Sequence, residues 1–337
     1  RFCGSGRPHR RCPMSRLLLA ELNRLRSRRI SWVALILVAL ALALLQVAVY
    51  QSVKPLTSAE IAEGKSQFEQ AQVDYEQNKE RYQADEKDCL NQGLSQEDCS
   101  LVPRVENYSY RTPTPFPDMA KLAVTFSVYL TALAALFVGA SFIGAEYSSG
   151  ALANWLSFIP ERGKVFAAKL VALLLGAAVL SAAASAVTLG AAMAAARGAG
   201  AQVSGLSTAA ALGGRGVGIA LIFAVIGFAL ALVTRHTIAA AGTMLAYLFV
   251  SFVLTALVEV IAGLQRLKPL LPQNNLSAFL DYGYTYSNYG GEMTDEGVAE
   301  TVVQHTISFG DSLVYWVVVL AVLVAGSYII FRRRDVN

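Results

Sequence analysis

The chain alternates between long apolar runs and polar stretches, and six of the apolar runs are long enough to cross a membrane. A membrane-spanning helix needs about 20 mostly apolar residues. The six runs cover residues 30–50, 119–143, 165–195, 214–234, 238–262 and 311–331. This pattern predicts an all-α polytopic membrane protein with six transmembrane helices.

The basic residues predict the orientation of these six helices. Lys and Arg precede the first run, separate the second from the third and the fourth from the fifth, and follow the sixth. With six spans, these segments share one side. The opposite side carries all of the 24 acidic residues except Glu21, Glu146, Glu161 and Asp335. Because Lys and Arg concentrate on the cytoplasmic side, we expect a multi-pass protein of the cell membrane with both termini cytoplasmic.

Both ends of the chain are polar and basic. We interpret residues 1–13, which precede Met14, as a non-native or disordered leader. Residues 14–29 combine Leu and Arg in an amphipathic pattern, which predicts a helix lying along the cytoplasmic face. Residues 332–337 form a short basic tail.

Residues 51–118 form a large polar insertion on the external side, predicted to be mainly helical. Ile61, Phe68, Tyr75 and Tyr82 recur every seven residues among good helix formers. The pattern predicts one long helix over about residues 57–90 with a narrow apolar seam. The seam either packs on the rest of the insertion or pairs with a second copy as a coiled coil.

Two cysteines in this insertion are candidates for a disulfide. Cys89 and Cys99 flank a short polar segment, and an external location allows them to oxidise. We predict that they are bonded; the alternative is a pair of unrelated thiols.

Residues 263–310 form the second external segment, which is rich in tyrosine. Tyr282, Tyr284 and Tyr286 either mark the membrane interface or line an outer gate. Glu259, near the outer end of the fifth span, is interfacial or belongs to the same gate.

Residues 144–164 connect the second and third spans on the cytoplasmic side. Leu152, Trp155, Leu156 and Ile159 follow the spacing of one helix face. Ser148 or Ser149 can cap the start of such a helix, and Pro160 helps to end it. The apolar face of this short helix must be buried against lipid or against a partner protein.

The composition argues against several classes of function. Hydrophobic residues make up 55% of the chain, charged residues 15%, and the net charge is only +4, so we expect no nucleic-acid partner. The sequence has no P-loop motif, no His/Cys set with metal spacing and no catalytic constellation. We therefore expect no enzyme activity, no metal and no cofactor in this chain. Few ionisable residues lie within the spans, which argues against an ion-driven transporter.

The stretch "IGAEYSSGALANWLSFIPERGKVFAAKL" resembles the region after the second span of type-2 ABC transporter permeases. The matching positions are Glu146, Gly150, Leu152, Leu156, Pro160, Arg162 and Lys169. The basic amphipathic start "SRLLLAELNRLRSRRISW" and the end "FRRRDV" are also similar to the family. The resemblance covers nearly the whole chain from Met14, in a subgroup with a large external insertion between the first two spans.

The resemblance implies a permease subunit of a bacterial ABC transporter. It implies a coupling helix over about residues 146–158 that docks on a separate ATPase, which binds ATP and Mg. The implied coupling residues are Glu146, Tyr147, Gly150, Leu152, Trp155, Leu156, Ile159, Pro160 and Arg162. The helix at residues 14–29 becomes a connector touching the same ATPase, through Leu18, Leu22, Arg24, Leu25 and Arg28.

The resemblance further implies a second permease subunit, identical or similar, within the membrane lipid. We expect an exporter, because nothing in the sequence indicates capture of a ligand from a binding protein. The alternative is a non-transporting membrane scaffold or sensor that binds a partner through its external helical domain.

Overall fold

A computed structural model describes residues 14–91, 96–108, 114–151, 161–294 and 297–333. The first helix, α1, is followed at once by the first spanning helix, α2. Within these described residues, six helices are long and apolar enough to cross a membrane, which confirms the predicted all-α polytopic fold. The helices at the chain's start and in the bundle are α1 (Met14–Ser27), α2 (Arg29–Val53), α6 (Phe116–Ser148), α7 (Arg162–Gly198), α8 (Leu206–Thr234), α9 (Thr237–Val260) and α11 (Phe309–Arg333).

Helices α6 and α8 form the centre of the bundle. In each of these two helices, more than half of the most apolar 18-residue stretch is buried inside the protein. The corresponding share is 17% for α2, 12% for α9 and 11% for α11. Glycines bring α6 and α8 into backbone contact, as is common between membrane helices. A Cβ on Gly139 would lie 2.6 Å from the carbonyl oxygen of Ala224, and one on Gly227 would overlap that of Leu136. The outer helices turn their apolar side chains towards the space that lipid fills.

Contacts between helix ends define two ends of the bundle. At one end, Arg28 pairs with Glu146, and Arg162 donates a hydrogen bond to the carbonyl oxygen of Arg332. We call this the α1 end. It gathers the starts of α2 and α7 and the ends of α6 and α11, which are the segments with the predicted cytoplasmic charges. At the opposite end, Lys121 pairs with Asp281.

In the described part of the predicted external insertion, two helices cover residues 58–91, where the sequence pattern predicted one. Helix α3 (Ser58–Gln77) starts with a capping box between Thr57 and Glu60, and α4 (Lys79–Asn91) follows. The prediction of a single helix was wrong because Asn78 interrupts it. The side-chain amide of Asn78 donates to the carbonyl oxygen of Asp74, and such local bonds compete with the helical pattern.

Aromatic residues of the predicted seam pack within the insertion. Phe68 lies 5.9 Å, between ring centroids, from Tyr108 of the short 3-10 helix Val105–Tyr108. Tyr75 stacks on Tyr82 at 5.5 Å. The Tyr82 hydroxyl donates to the carboxylate of Asp74, and this hydrogen bond raises the pKa of Tyr82. Of the seam residues, Phe68 thus packs on another part of the insertion. Pairing of the seam with a second copy stays the alternative prediction.

The predicted disulfide between Cys89 and Cys99 is present. It joins α4 to the short helix α5 (Gln96–Cys99), with the two Cα atoms 5.6 Å apart. Cys99 is 2% exposed. The bond therefore fixes where the chain returns from α4 towards α3.

We expect the double variant Cys89→Ser/Cys99→Ser to lose stability in the external insertion alone. A loop of this size contributes about 3 kcal/mol through the entropy of the unfolded chain. Limited proteolysis of the purified protein should cut between residues 58 and 108 at least ten times faster than in wild type. Equal cleavage rates would show that helix contacts hold the insertion without the bond.

The second external segment contains a feature that the sequence analysis missed. A 3-10 helix (Ala262–Leu270) and α10 (Pro272–Asp281) lead into an antiparallel hairpin of β1 (Gly283–Thr294) and β2 (Gly297–Ser308). Tyr284 is opposite Ile307, and Tyr286 is opposite His305. The spacing of Tyr282, Tyr284 and Tyr286 by two residues is the period of a strand, whereas the sequence analysis considered only a membrane interface or an outer gate for them.

Candidate functional site

A cluster of buried charges lies at the α1 end of the bundle. The Lys169 ammonium on α7 is 2.8 Å from Oε2 of Glu21 on α1 and 2.6 Å from Oε2 of Glu146 on α6. Arg28 places Nη2 2.8 Å from Oε1 of Glu146. Lys169 is 0% exposed, Glu21 1% and Glu146 5%. We call Glu21, Arg28, Glu146 and Lys169 the ion cluster.

The amphipathic pattern of α1 carries Glu21 into this cluster. Leu17, Glu21 and Leu25 recur every four residues and are the buried residues of the helix. Leu25 packs into a notch at Gly176 of α7, where a Cβ would lie 2.6 Å from the leucine Cδ2. The contact with Gly176 brings α1 against α7, so that Glu21 faces Lys169.

Arg28 occupies the break between α1 and α2, where its backbone is extended. Its guanidinium donates twice: from Nη1 to the carbonyl oxygen of Ser141 at 2.8 Å, and from Nη2 to Glu146. The two Nη groups of a planar guanidinium can reach both acceptors on α6 at once in a fixed geometry. Arg28 therefore fixes the turn between α1 and α2 to the end of α6.

The cluster is electrically balanced and closed on one side by an aromatic ring. Two carboxylates meet two cations, and the more exposed Arg24 approaches Glu21 at 3.5 Å and Glu146 at 4.0 Å. The buried ring of Phe142 lies 5.1 Å from the Arg28 guanidinium and 5.0 Å from the Lys169 ammonium. Removing one partner of such a buried pair leaves an uncompensated charge, which costs about 3–5 kcal/mol.

Comparison with known families decides what kind of protein carries this cluster. The sequence model of the ABC-2 family transporter proteins matches residues 17–336, nearly the whole chain. The chain belongs to the ABC-2 transporter family. It is a permease subunit of an ABC transporter, as the resemblance implied. Neither the comparison with curated proteins nor that with solved structures gave a significant match.

The structure of this permease corrects the role expected for Glu146. The predicted coupling helix began at residue 146, but α6 continues to Ser148. Glu146 is buried in the ion cluster and does not offer its carboxylate to a docking partner. Tyr147 is half-buried, with the Arg235 guanidinium 5.9 Å from its ring. Leu152, Trp155, Leu156, Ile159 and Pro160 lie outside the described residues.

The two candidate caps, Ser148 and Ser149, belong to the end of α6 and not to the start of another helix. Both hydroxyls donate to the carbonyl oxygen of Ala145. Gly150 follows with a φ of 66°, in the left-handed region, and its amide donates to the carbonyl oxygen of Tyr147. A left-handed glycine after the last turn is a common end to a helix. Helix α6 therefore ends here, before most of the residues predicted to contact the ATPase.

The start of α7, which follows these residues, is bonded to the last helix of the permease. Arg162 begins α7, and its Nη1 donates to the carbonyl oxygen of Arg332 at 3.0 Å. Four residues later, Phe166 packs on Tyr328 at 5.4 Å and on Phe331 at 5.7 Å, between ring centroids. The start of α7 and the end of α11 therefore form one packed unit.

The connector residues of the permease face the bundle as well as its surroundings. Leu25 is buried, and Leu18, Leu22, Arg24 and Arg28 are half-buried. The sequence analysis expected Arg24 and Arg28 to touch the ATPase. In the structure both approach Glu146.

The residues proposed for an outer gate lie around the hairpin. The Glu259 carboxylate pairs at 2.8 Å with the buried ammonium of Lys268, which also donates to the carbonyl oxygen of Ser287 on β1. Tyr282 stacks on Phe309 at 5.2 Å, and Tyr286 stacks on His305 at 5.5 Å. Tyr284 is half-buried on the strand face that it shares with Tyr286. Lys268 thus links Glu259 to the hairpin; the sequence analysis did not single out this lysine.

Sequence reasoning missed Glu21 as a member of the site and named Lys169 only as a position that matches the family. The signal was present in both cases. Glu21 interrupts the apolar stripe of α1 between Leu17 and Leu25, and Lys169 lies within a predicted apolar run. A charge on an apolar face requires a partner. Within the described part of the chain, no group of three or more His, Cys, Asp or Glu is placed to hold a metal ion.

Proposed function

We propose that this permease is the export subunit of a bacterial ABC transporter in the cell membrane, driven by a separate ATPase. ATP and Mg bind to that partner chain. Two permease subunits, identical or similar, form the translocation path with two ATPases. The distribution of Lys and Arg supports cytoplasmic termini, which puts the α1 end on the side where an ATPase can dock.

The observation that carries the proposal is the position of the ion cluster. It joins three elements: the connector α1, the end of α6 and the start of α7. Helices α6 and α7 lead into and out of residues 152–160, the segment expected to contact the ATPase. A displacement of that segment therefore moves the helices that hold Glu146 and Lys169, and through them α1.

Closure of the ATPase dimer would push the coupling segment against the permease. Packed helices respond to such a push as rigid bodies that change between discrete arrangements. The ion cluster makes α1, α6 and α7 one such body at this end, because separating any two of them exposes an unpaired buried charge. Alternating access then follows from the movement of this body against the second permease subunit. Glu259, Lys268 and the hairpin tyrosines are the proposed outer gate.

Replacing Trp155 by aspartate is expected to abolish binding of the ATPase. A charge on the apolar face of the coupling segment would oppose burial of that face in a protein groove. The measurement is copurification of the ATPase with tagged permease from native membranes in mild detergent, with quantification of the ATPase band. We expect at least a tenfold loss in Trp155→Asp, and retention in the matched variant Trp155→Phe.

Two results would contradict this assignment. If wild type brings down no ATPase under conditions that preserve another ABC complex, the driven-transport proposal fails. If Trp155→Asp retains the ATPase at the wild-type level, the coupling segment is not the docking element. In the first case, the scaffold or sensor alternative remains, and its partner would bind to the external insertion.

A further inference from the structure

A groove on the external insertion lies between α3 and the extended segment at residues 100–104. Its cavity volume is about 660 Å³, within the range of about 300–1,000 Å³ typical of binding clefts. The α3 wall presents Glu69, Gln72, Val73 and Glu76, which share one helix face, and the other wall presents Val102 and Pro103. The groove is thus apolar along its middle, with carboxylates along one rim.

The charge of the surrounding insertion is strongly negative. Residues 58–108 contain 12 Asp and Glu against 5 Lys and Arg, a net charge of −7. At the groove itself, Glu76 is paired with the exposed ammonium of Lys79 at 3.2 Å, and Arg104 follows Pro103 in the second wall. The net charge of −7 already includes these two cations, so the groove lies within a negatively charged insertion that favours a cationic ligand.

The apolar part of the groove is open to solvent in the structure. Val73 is 56% exposed and Val102 46%. No described residue of α3 or α4 is buried, so this helix pair stands out from the bundle instead of packing into it. The two valines, one from each wall, are exposed apolar surface that a ligand with an apolar side would cover.

The second wall is held in place by covalent and aromatic contacts. The Cys89–Cys99 disulfide fixes the chain immediately before residues 100–104, and the contact between Phe68 and Tyr108 fixes it after them. The groove therefore keeps its width without a ligand. A preformed cleft lowers the cost of ordering that binding would otherwise carry.

We propose that this groove binds a basic peptide that presents an apolar face. Glu69 and Glu76 are seven residues apart on one helix, a separation of about 10 Å at 1.5 Å per residue. A helical peptide with lysines seven residues apart and leucines at the third and fourth positions between them matches both the carboxylates and the valines. This binding is a function of the insertion and does not depend on the direction of transport or on the ATPase.

The test uses the full-length permease in nanodiscs of zwitterionic lipid. The probe is a fluorescent peptide of about 18 residues, or about five helical turns, built from Lys and Leu in the spacing above. Binding is followed by fluorescence anisotropy, with empty nanodiscs as the measure of lipid binding. We expect saturable micromolar binding, weakened by added salt, and at least tenfold weaker binding of a peptide in which every Lys is replaced by Glu.

Variants with equal charge changes distinguish the groove from the general field of the insertion. Glu69→Lys/Glu76→Lys should weaken binding of the Lys/Leu peptide at least tenfold. Glu63→Lys/Asp85→Lys makes the same change in net charge away from the groove and should weaken it less than threefold. Val73→Ser/Val102→Ser removes the apolar surface without changing charge and should weaken it at least fivefold.

Several results would overturn the proposal. One is equal loss of affinity in the two charge-reversal variants, which would indicate attraction to the insertion as a whole. Another is binding to wild type no stronger than to empty nanodiscs, including the case in which a second subunit covers the groove. Wild-type affinity in Val73→Ser/Val102→Ser would also contradict it. Counting free thiols in each variant checks that the Cys89–Cys99 bond, and with it the second wall, remains intact.

Discussion

Replacing Lys169 by methionine is expected to lower the free energy of unfolding of the permease by about 3–5 kcal/mol. The substitution leaves the carboxylates of Glu21 and Glu146 in the interior without the ammonium that both contact. Glu146 keeps Arg28, but Glu21 keeps only the more distant and more exposed Arg24. The measurement is the apparent melting temperature in detergent by size-exclusion chromatography, which should fall by about 5–10 °C.

The matched variant removes both charges of one pair. Glu21→Met/Lys169→Met leaves the Glu146–Arg28 pair intact, and apolar side chains of similar volume can replace a buried ion pair without loss of stability. We expect this double variant to recover most of the melting temperature. A wild-type melting temperature in Lys169→Met alone would show that the cluster contributes nothing to stability.

The double variant also separates the structural role of the cluster from its proposed role in coupling. With α1 no longer joined to α7 through charge, we expect a folded permease that still binds the ATPase. ATP hydrolysis by the complex should then no longer be coupled to movement of the permease. The change in the ATPase rate on adding the second permease subunit should be at least threefold smaller than in wild type. Wild-type behaviour of the double variant in this assay would limit the cluster to a role in folding.

Replacing Gly227 by valine is expected to prevent the permease from folding. A Cβ at this position overlaps the carbonyl oxygen of Leu136, a backbone atom that cannot rotate away as a flexible side chain can. The new side chain must therefore separate α6 from α8, the two most buried helices of the bundle. Overpacking typically costs about 1–3 kcal/mol and occasionally more. Because the clash here is with a backbone atom, we expect a cost at or above the upper end, and the yield of monodisperse protein should fall at least tenfold.

The control for this variant is another glycine of the same helix. A Cβ on Gly214 meets nothing within 4 Å, so that Gly214→Ala should leave yield and melting temperature unchanged within error. Similar losses in both variants would mean that α8 does not tolerate substitution for reasons other than its contact with α6. A normal yield of Gly227→Val would show that the two helices are not in backbone contact.

The six spans and the family were accessible from sequence because each rests on a local pattern. A run of about 20 apolar residues has only one low-energy surrounding, the membrane interior. The connector helix α1 was predicted for residues 14–29 and ends at Ser27. The disulfide partners Cys89 and Cys99 were identifiable because few cysteines and a short separation left little choice.

Two features of the fold could not be predicted from the sequence patterns. Asn78 ended α3 because its side chain bonds to the backbone of the preceding turn, while the seven-residue repeat continued through it unchanged. The hairpin of β1 and β2 was hidden for a related reason. Tyrosines spaced by two residues fit a strand and a membrane interface equally well until the pairing of Tyr286 with His305 is known.

The membrane-spanning segments, the basic segments and the family could all be identified from the sequence alone. The three-dimensional packing was needed to show that Glu21, Glu146 and Lys169, which are far apart along the chain, share one buried cluster. Hydrophobic periodicity predicts which face of a helix is buried, but it does not predict which oppositely charged residue lies opposite a buried charge. The pairing of these charges depends on how α1, α6 and α7 pack. That packing depends on close contacts between helices, such as that of Leu25 with Gly176, which the sequence of one helix alone does not reveal.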